Sequence, residues 1–456
     1  MKRNLPFLSL VVFVVMSAAL TASAQFKPWS GSSIVQDPEW QKSFLGSYGF
    51  LSGVEPDIKP SELSILKDVI DLMKVNPRAA LAMLEQRMGD DNSAALDFIV
   101  ANLRFQQGDL ANATTSYEKA LQKFPDFRRA HKNLGLLMVQ VNEYKGAVEH
   151  LTRAIELGDR DGRTYGLLGY GYINLDNPLS AEQAYRTAVL QQPDSKDWQL
   201  GLARSLLSLE KYEEAAALFS TILEQHPEDA SVWKLQANAF IGLDQPLAAA
   251  VNLEALRMLG KADLSSLVLL GDIYMNEGIR DLAKDAYLAA IAKDTEGTQF
   301  EAAYRAADLL FRAAAYDQSA EILASIDRRY GKKLPEDANL ELMTLRARIA
   351  RAQGREAEAV SILEDIVQRD GTRGDALLEL ARYNRDQGND QKALLLLERA
   401  QNIPAYVYDA LIERAQFLVA GKDYEQAASL LRQALRIKSE SRVERFLARV
   451  EGAVRQ

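Results

Sequence analysis

The sequence predicts an all-α fold in which antiparallel helix pairs stack into a solenoid. Small residues recur at Ala101, Gly135, Gly169, Ala203, Ala237 and Gly271, each 34 residues after the last. A second small register (Ala113, Ala147, Ala181, Ala215, Ala249, Ala283) and a bulky one (Tyr117, Leu151, Tyr185, Phe219, Leu253, Tyr287) keep the same step. Pro125, Pro193 and Pro227 fall at unit ends, where a helix must stop. Composition agrees: Ala and Leu abound and only 8% of residues are aromatic, which favours helix over sheet.

Along the chain, residues 1–24 read as a signal peptide. Lys2 and Arg3 precede an apolar run from Phe7 to Leu20, and Ala22-Ser23-Ala24 offers the small-x-small cleavage pattern. The run is shorter than the roughly 20 residues that span a bilayer, so cleavage after Ala24 and a mature start at Gln25 are expected. No later stretch is apolar enough for a membrane span. Residues 25–60 form an irregular aromatic arm, with Trp29, Trp40, Phe44, Tyr48 and Phe50 among prolines and glycines that preclude a long helix. The arm either covers the open end of the helical array or docks on a partner.

Residues 61–298 form the first block, with a divergent first pair over Pro60–Gly89 and regular repeats after it. In each repeat the small residue of the first helix is expected to face the small residue of the second. The bulky register then fills the space against the next unit. The phase slips after Ala283 and resumes at Ala359, Ala393 and Ala427. A divergent repeat and linker therefore occupy 299–337, with the extra residues placed around Lys293–Thr298 and Arg329–Asp337. A second block covers 338–456, closed by a polar-faced capping helix at Ser441–Val454. The total is about eleven helix pairs.

These registers resemble the tetratricopeptide repeat family. In the family's order W-x2-L-G-x2-Y, then A, F, A and P, one copy reads Tyr165, Leu168, Gly169, Tyr172, Ala181, Tyr185, Ala188 and Pro193. Another reads Leu267, Leu270, Gly271, Tyr274, Ala283, Tyr287 and Ala290. The resemblance implies a right-handed superhelix whose concave groove is lined by first helices and takes extended peptides or partner helices. It also implies where a carboxylate clamp would lie. Asn102, Asn133 and Arg163 match clamp positions, but Phe98 and Leu167 stand where Lys and Arg are expected. The two asparagines are alternatively hydrogen-bonding groups for a bound backbone.

Further along, Arg348, Arg351, Arg382 and Arg385 occupy matching groove positions in successive repeats. They read as a basic stripe for carboxylates or phosphates, or as a solvated face paired with Glu356 or Glu379. Tyr170, Arg204 and Trp198 are expected to line the groove of the first block.

Composition narrows the function. The 63 acidic residues outnumber 54 basic ones, which argues against a nucleic-acid binder. With no Cys and three scattered His, no thiolate or zinc chemistry is expected, and neither a cofactor nor a catalytic residue is assigned. No phosphate-cradling loop, Gly-x-Ser-x-Gly elbow or His-Glu-x-x-His is present. The expectation is a periplasmic or secreted scaffold, not an enzyme, that binds a protein or peptide in its groove. Its layout is similar to periplasmic repeat proteins of envelope systems, including those that accompany TonB-type transport or polysaccharide export, so an envelope membrane-protein complex is an expected partner. The alternative is a glycan or cell-wall binder using the Tyr165–Tyr172 cluster and Trp198. A hydrolase on a helical scaffold lacks an evident pair of catalytic carboxylates.

Overall fold

The computed structural model describes residues 55–89, 91–331 and 333–454. The expected signal peptide at 1–24 and all but the last residues of the expected aromatic arm at 25–60 lie outside the described residues. Among the described residues every regular element is helical, with 23 α-helices and one short 3₁₀ turn. The chain is an α-solenoid of helix pairs, and it forms two compact units, the first ending at Gln245 and the second beginning at Pro246.

In the first unit the pairs are Pro60–Val75 (α1) with Pro77–Arg87 (α2), Ala94–Gln106 (α3) with Leu110–Lys123 (α4), and Arg128–Gln140 (α5) with Tyr144–Glu156 (α6). Gly162–Asn174 (α7) with Pro178–Gln191 (α8), Lys196–Ser208 (α9) with Tyr212–Gln225 (α10), and Ala230–Gly242 (α11) follow. Short side chains start many of them: Ser93, Asp161 and Asp229 each accept a backbone N–H of the first turn. From α3 on, each second helix packs on its own first helix and on the next one, and the first helices α3, α5, α7 and α9 touch in succession. First helices therefore make one continuous face of this unit.

In the second unit Pro246–Met258 (α12) precedes Leu264–Asn276 (α13) with Arg280–Lys293 (α14), and Phe300–Arg312 (α15) with Tyr316–Tyr330 (α16). Then come Glu336–Ala352 (α17) with Glu356–Arg369 (α18), and Gly374–Asp386 (α19) with Asp390–Gln401 (α20). After the 3₁₀ turn Pro404–Tyr406, Val407–Ala420 (α21) pairs with Tyr424–Ile437 (α22), and Ser441–Val454 (α23) closes the end. Where the sequence period slips, the stacking changes: α14 packs more extensively on α16 than on α15. Asp294 ties this region together, its carboxylate accepting the backbone N–H groups of Gly297 (2.9 Å) and Gln299 (2.9 Å) and the Tyr330 hydroxyl (2.9 Å).

From the second pair on, the turn inside each pair carries one residue in the left-handed region, whereas Asn76 in the first pair has φ −144°. Gly108, Asn142, Asp176, Glu210, Asp244 and Gly278 have φ between +56° and +78°, in steps of 34 residues. The next step is 36 residues, to Ala314, and the one after it 40, to Gly354, before the 34-residue step resumes at Gly388 and Lys422. The register is thus conserved by backbone geometry more strictly than by residue type.

The packing inside a pair differs from the sequence expectation in one respect. The small residue of the first helix faces the bulky residue of its own second helix. A β-carbon on Gly135 would lie 2.6 Å from Leu151, and one on Gly169 2.9 Å from the Tyr185 ring. The same ring also reaches the next unit, since a β-carbon on Gly201 would lie 2.4 Å from it. One bulky side chain therefore fills both gaps, because a phenol ring is thick enough to hold two backbones apart only where neither carries a β-carbon.

Candidate functional site

The first-helix face of the first unit carries most of the residues singled out from the sequence. Two of them look inward. Asn102 on α3 and Asn133 on α5 are each 1% exposed, and the Asn133 amide nitrogen donates to the Asn102 carbonyl oxygen at 2.9 Å. The Tyr117 hydroxyl donates to the same oxygen. The amides expected to grip a bound backbone thus hold one pair against the next, because an unmet buried amide is costly and its complement lies across the helix interface. Phe98, at the neighbouring clamp position, is fully buried; it packs on Phe127 at 4.7 Å, with the Arg129 guanidinium 4.9 Å from its ring centre.

Arg163 lies at the start of α7 and its Nη2 sits 2.6 Å from Asp161, the residue that caps the same helix. Lys132 of α5 reaches Asp161 at 2.7 Å. Burial pushes the Asp161 carboxyl up, but the hydrogen bonds from Arg163 and Lys132 outweigh it and hold the group well below the usual carboxylate range. Leu167 is buried, so this surface does not reproduce a clamp. Tyr170 is also buried, packed edge-on to Tyr144 at 5.9 Å, and its hydroxyl is pushed up to about 12 by burial and then by Tyr144. Trp198 is a core residue rather than a groove platform: it is 1% exposed, and its indole N–H donates to Gln192.

Arg204 on α9 differs from these. Its side chain is half-buried, its Nε is sealed from solvent without an acceptor, and among the described residues no carboxylate lies within ion-pair distance. Burial pushes its guanidinium down from the ordinary arginine range.

In the second unit the four arginines form a ladder with carboxylates. Arg351 of α17 reaches Glu379 of α19 at 2.6 Å and Glu356 at 4.0 Å. Arg382 is held by Glu379 at 2.8 Å and by Glu413 of α21 at 2.7 Å, and Arg385 reaches Glu413 at 3.3 Å. Of the two readings made from the sequence, the geometry puts these three arginines in the paired face. Arg348 has no ion-pair partner among the described residues. The sequence reading did not single out Glu413, although it repeats Glu379 after 34 residues and so was visible as a periodic acid.

A single spacing rule links both units. Asn102 meets Asn133 and Arg382 meets Glu413 across the same separation of 31 residues, while Arg351 to Glu379 and Arg385 to Glu413 span 28. Side chains late in one first helix therefore meet side chains early in the next. Among the described residues no group of side chains could hold a metal ion, and no helix is long and apolar enough to cross a membrane.

Comparison with known proteins follows the same repeats. Residues 104–169 and 175–239 match one tetratricopeptide repeat family, and residues 344–407 match a second. A general transcriptional corepressor, trfA, of Dictyostelium discoideum is 28% identical over 119 residues, covering 26% of this chain and 9% of that protein. The tetratricopeptide repeat-containing protein trd-1 of Caenorhabditis elegans is 27% identical over 28% of this chain and 17% of its own length. The chain thus spans less than a fifth of either relative. Among solved structures, YrrB, described as a repeat protein with an unusual peptide-binding site, aligns over 44% of this chain and 95% of its own at 19% identity and a TM-score of 0.38. A repeat protein from Parabacteroides merdae aligns over 56% of this chain and 100% of its own at 18% identity and a TM-score of 0.36.

Proposed function

Because the chain belongs to the tetratricopeptide repeat superfamily, whose members generally serve as interaction scaffolds, we propose that it holds a polypeptide partner against its first-helix faces. The observation that carries this reading is the succession of α3, α5, α7 and α9, whose touching first helices offer one surface that carries Arg129, Lys132, Arg163 and Arg204, Arg129 and Arg163 being one repeat apart. A peptide laid along such a face meets the same geometry once per repeat, so weak contacts add along its length. The role is that of a scaffold and not of an enzyme. The leader at 1–24 supports a periplasmic or secreted site of action, and the layout of leader, arm and long array supports membership of a cell-envelope assembly.

Two measurements test the proposal. The chain is produced with its own leader, and the mature N-terminus is sequenced from the extracytoplasmic fraction. Gln25 is the expected first residue, and an intact Met1 would remove the localisation. The purified chain is then used as bait on envelope extract beside an Arg348→Glu variant. A protein retained by the parent and released by the variant is expected. Retention on protein-free peptidoglycan or polysaccharide would favour the glycan-binding alternative, and turnover of a cell-wall substrate would overturn the scaffold role.

A further inference from the structure

Part of the first-helix face in the first unit is closed to solvent. Two registers point along that face: the residue one after each small residue of a first helix, and the residue four after it. Arg382 and Arg385 hold these registers in the second unit, where they reach from α19 to α21. In the first unit the former reads Asn102, Leu136, Tyr170, Arg204 and Asn238. The first three are 1%, 0% and 6% exposed, whereas Arg204 is half-buried and Asn238 exposed. The latter changes in the same direction: Phe105 and Val139 are buried, while Ile173, Leu207 and Ile241 are half-buried. Residue type does not account for this, since apolar side chains lie on both sides of the change.

Among the described residues, α3 and α5 pack chiefly on their neighbours in the stack, which lie beside this face. The chain that leads into α1 crosses the face itself. Glu55, the first described residue, is 7% exposed, and its carboxylate accepts from Arg129 of α5 at 3.3 Å, two pairs in from the end of the array. The Arg129 guanidinium lies in turn over the Phe98 ring of α3, and Pro56 is buried as well. A carboxylate and a guanidinium held this dry need chain packed around them. The chain that precedes Glu55 is thus anchored within the covered stretch and not at the outer end.

We propose that residues 25–54, the aromatic arm, lie along the first-helix face over α3, α5 and α7, as an occupant supplied by the chain itself. This departs from both expectations for the arm, an end cover and a docking segment. Its chemistry suits the floor it meets. Phe105, Leu136 and Val139 offer apolar surface, and the arm brings Trp29, Trp40, Phe44, Tyr48 and Phe50, its two acids balanced by two bases. Its length is ample, since about 30 residues reach roughly 100 Å when extended and α3 to α7 covers two helix spacings of about 10 Å. Tethered in this way, at roughly millimolar effective concentration, the arm closes the face until a partner displaces it. That last consequence rests on the reading of the face as a peptide-binding surface; the seating of the arm does not.

The test uses the full mature chain. The photo-cross-linker p-benzoylphenylalanine is placed at Phe44 or at Tyr48, isotopically light and heavy chains are mixed, and cross-linked peptides are mapped by mass spectrometry. Cross-links within one chain to α3, α5 or α7 are expected. A second measurement exploits the absence of cysteine from the sequence. The thiol of Leu136→Cys is expected to react with a maleimide at least tenfold faster once Glu55→Lys is added, because a lysine there repels Arg129 and frees the arm. The thiol of Asn238→Cys is expected to react at one rate in both backgrounds.

Cross-links confined to α1 and α2 or to second helices, cross-links between chains, or no product beyond that of the urea-unfolded chain would each overturn the seating. So would a thiol rate at position 136 that Glu55→Lys leaves unchanged. Cross-links to α3, α5 or α7 with no protein captured from envelope extract would keep the arm in place and remove the scaffold reading. Protein capture without those cross-links would do the reverse.

Discussion

At Gly201 the nearest side chain is the Tyr185 ring, and a β-carbon there would sit 2.4 Å from it. Both the ring and the α9 backbone are held by neighbours on two sides, so neither has room to withdraw. Gly201→Ala is expected to lower stability by about 1–3 kcal/mol in chemical denaturation, the usual cost of overpacking a close-packed interface. The opposite sign is expected at Ala314, which holds φ at +57° in the turn between α15 and α16. A β-carbon in that region costs about 1–2 kcal/mol, and glycine gives back part of the gain through its freer unfolded chain. Ala314→Gly should therefore raise stability by about 0.5–1 kcal/mol, read as an increased denaturation midpoint at unchanged slope. Charge reversal separates the ladder arginines. Arg382→Glu would gather three carboxylates at Glu379 and Glu413 and is expected to cost about 1–2 kcal/mol, whereas Arg348→Glu should stay within about 0.5 kcal/mol.

Between α5 and α6 a histidine pair makes one element sensitive to acid. His131 Nδ1 lies 2.9 Å from His150 Nδ1, and His131 Nε2 lies 2.9 Å from the Pro125 carbonyl oxygen. A carbonyl only accepts, so His131 carries its proton on Nε2 and accepts from His150 through Nδ1. A second proton on His131 would have to go to Nδ1 and set two N–H donors face to face, whereas one on His150 would go to its Nε2 and leave the pair's hydrogen bond in place. Burial pushes both imidazoles down; the Arg153 charge adds to this at His131 and His131 adds to it at His150, while Asp126 and Glu149 oppose it. A depressed folded pKa means that the unfolded chain binds the proton first. The stability is then present above the unfolded value of about 6.5 and is lost as pH falls below it. Tm is expected to drop between pH 7.5 and pH 5.5, and the double variant His131→Asn/His150→Gln should flatten that slope. An unchanged slope would show that the loss arises elsewhere.

At the scale of the whole chain, stability should be a sum over neighbouring pairs, since each helix packs chiefly on those next to it in sequence. Damage at one site should therefore stay local. In hydrogen exchange, Gly201→Ala is expected to lower protection in α7 to α11 and to leave α19 to α22 as in the parent. A uniform loss across all helices would show a single cooperative core instead.

Most of the architecture was legible because the repeat writes it many times over. Three registers in one phase determined the helix pairs, their order and the closing helix Ser441–Val454, since each copy had to satisfy the same crossing of two backbones. The slip near Ala283–Ala359 was equally visible, although only the left-handed turn residues divide it into steps of 36 and 40. The site was less legible. A position in a repeat tells which helix face a side chain occupies, and so placed Asn102, Asn133 and the four arginines together. It does not tell what stands across the interface. That depends on stacking: a 31-residue offset brings Asn133 to Asn102 and Glu413 to Arg382, but brings only Leu235 to Arg204. Sequence alone determined the solenoid, because periodic burial leaves few alternatives. Tertiary structure decided which polar groups the fold consumes and which it leaves unmatched, because hydrogen bonds and ion pairs act over about 3 Å and only the packed helices set those distances.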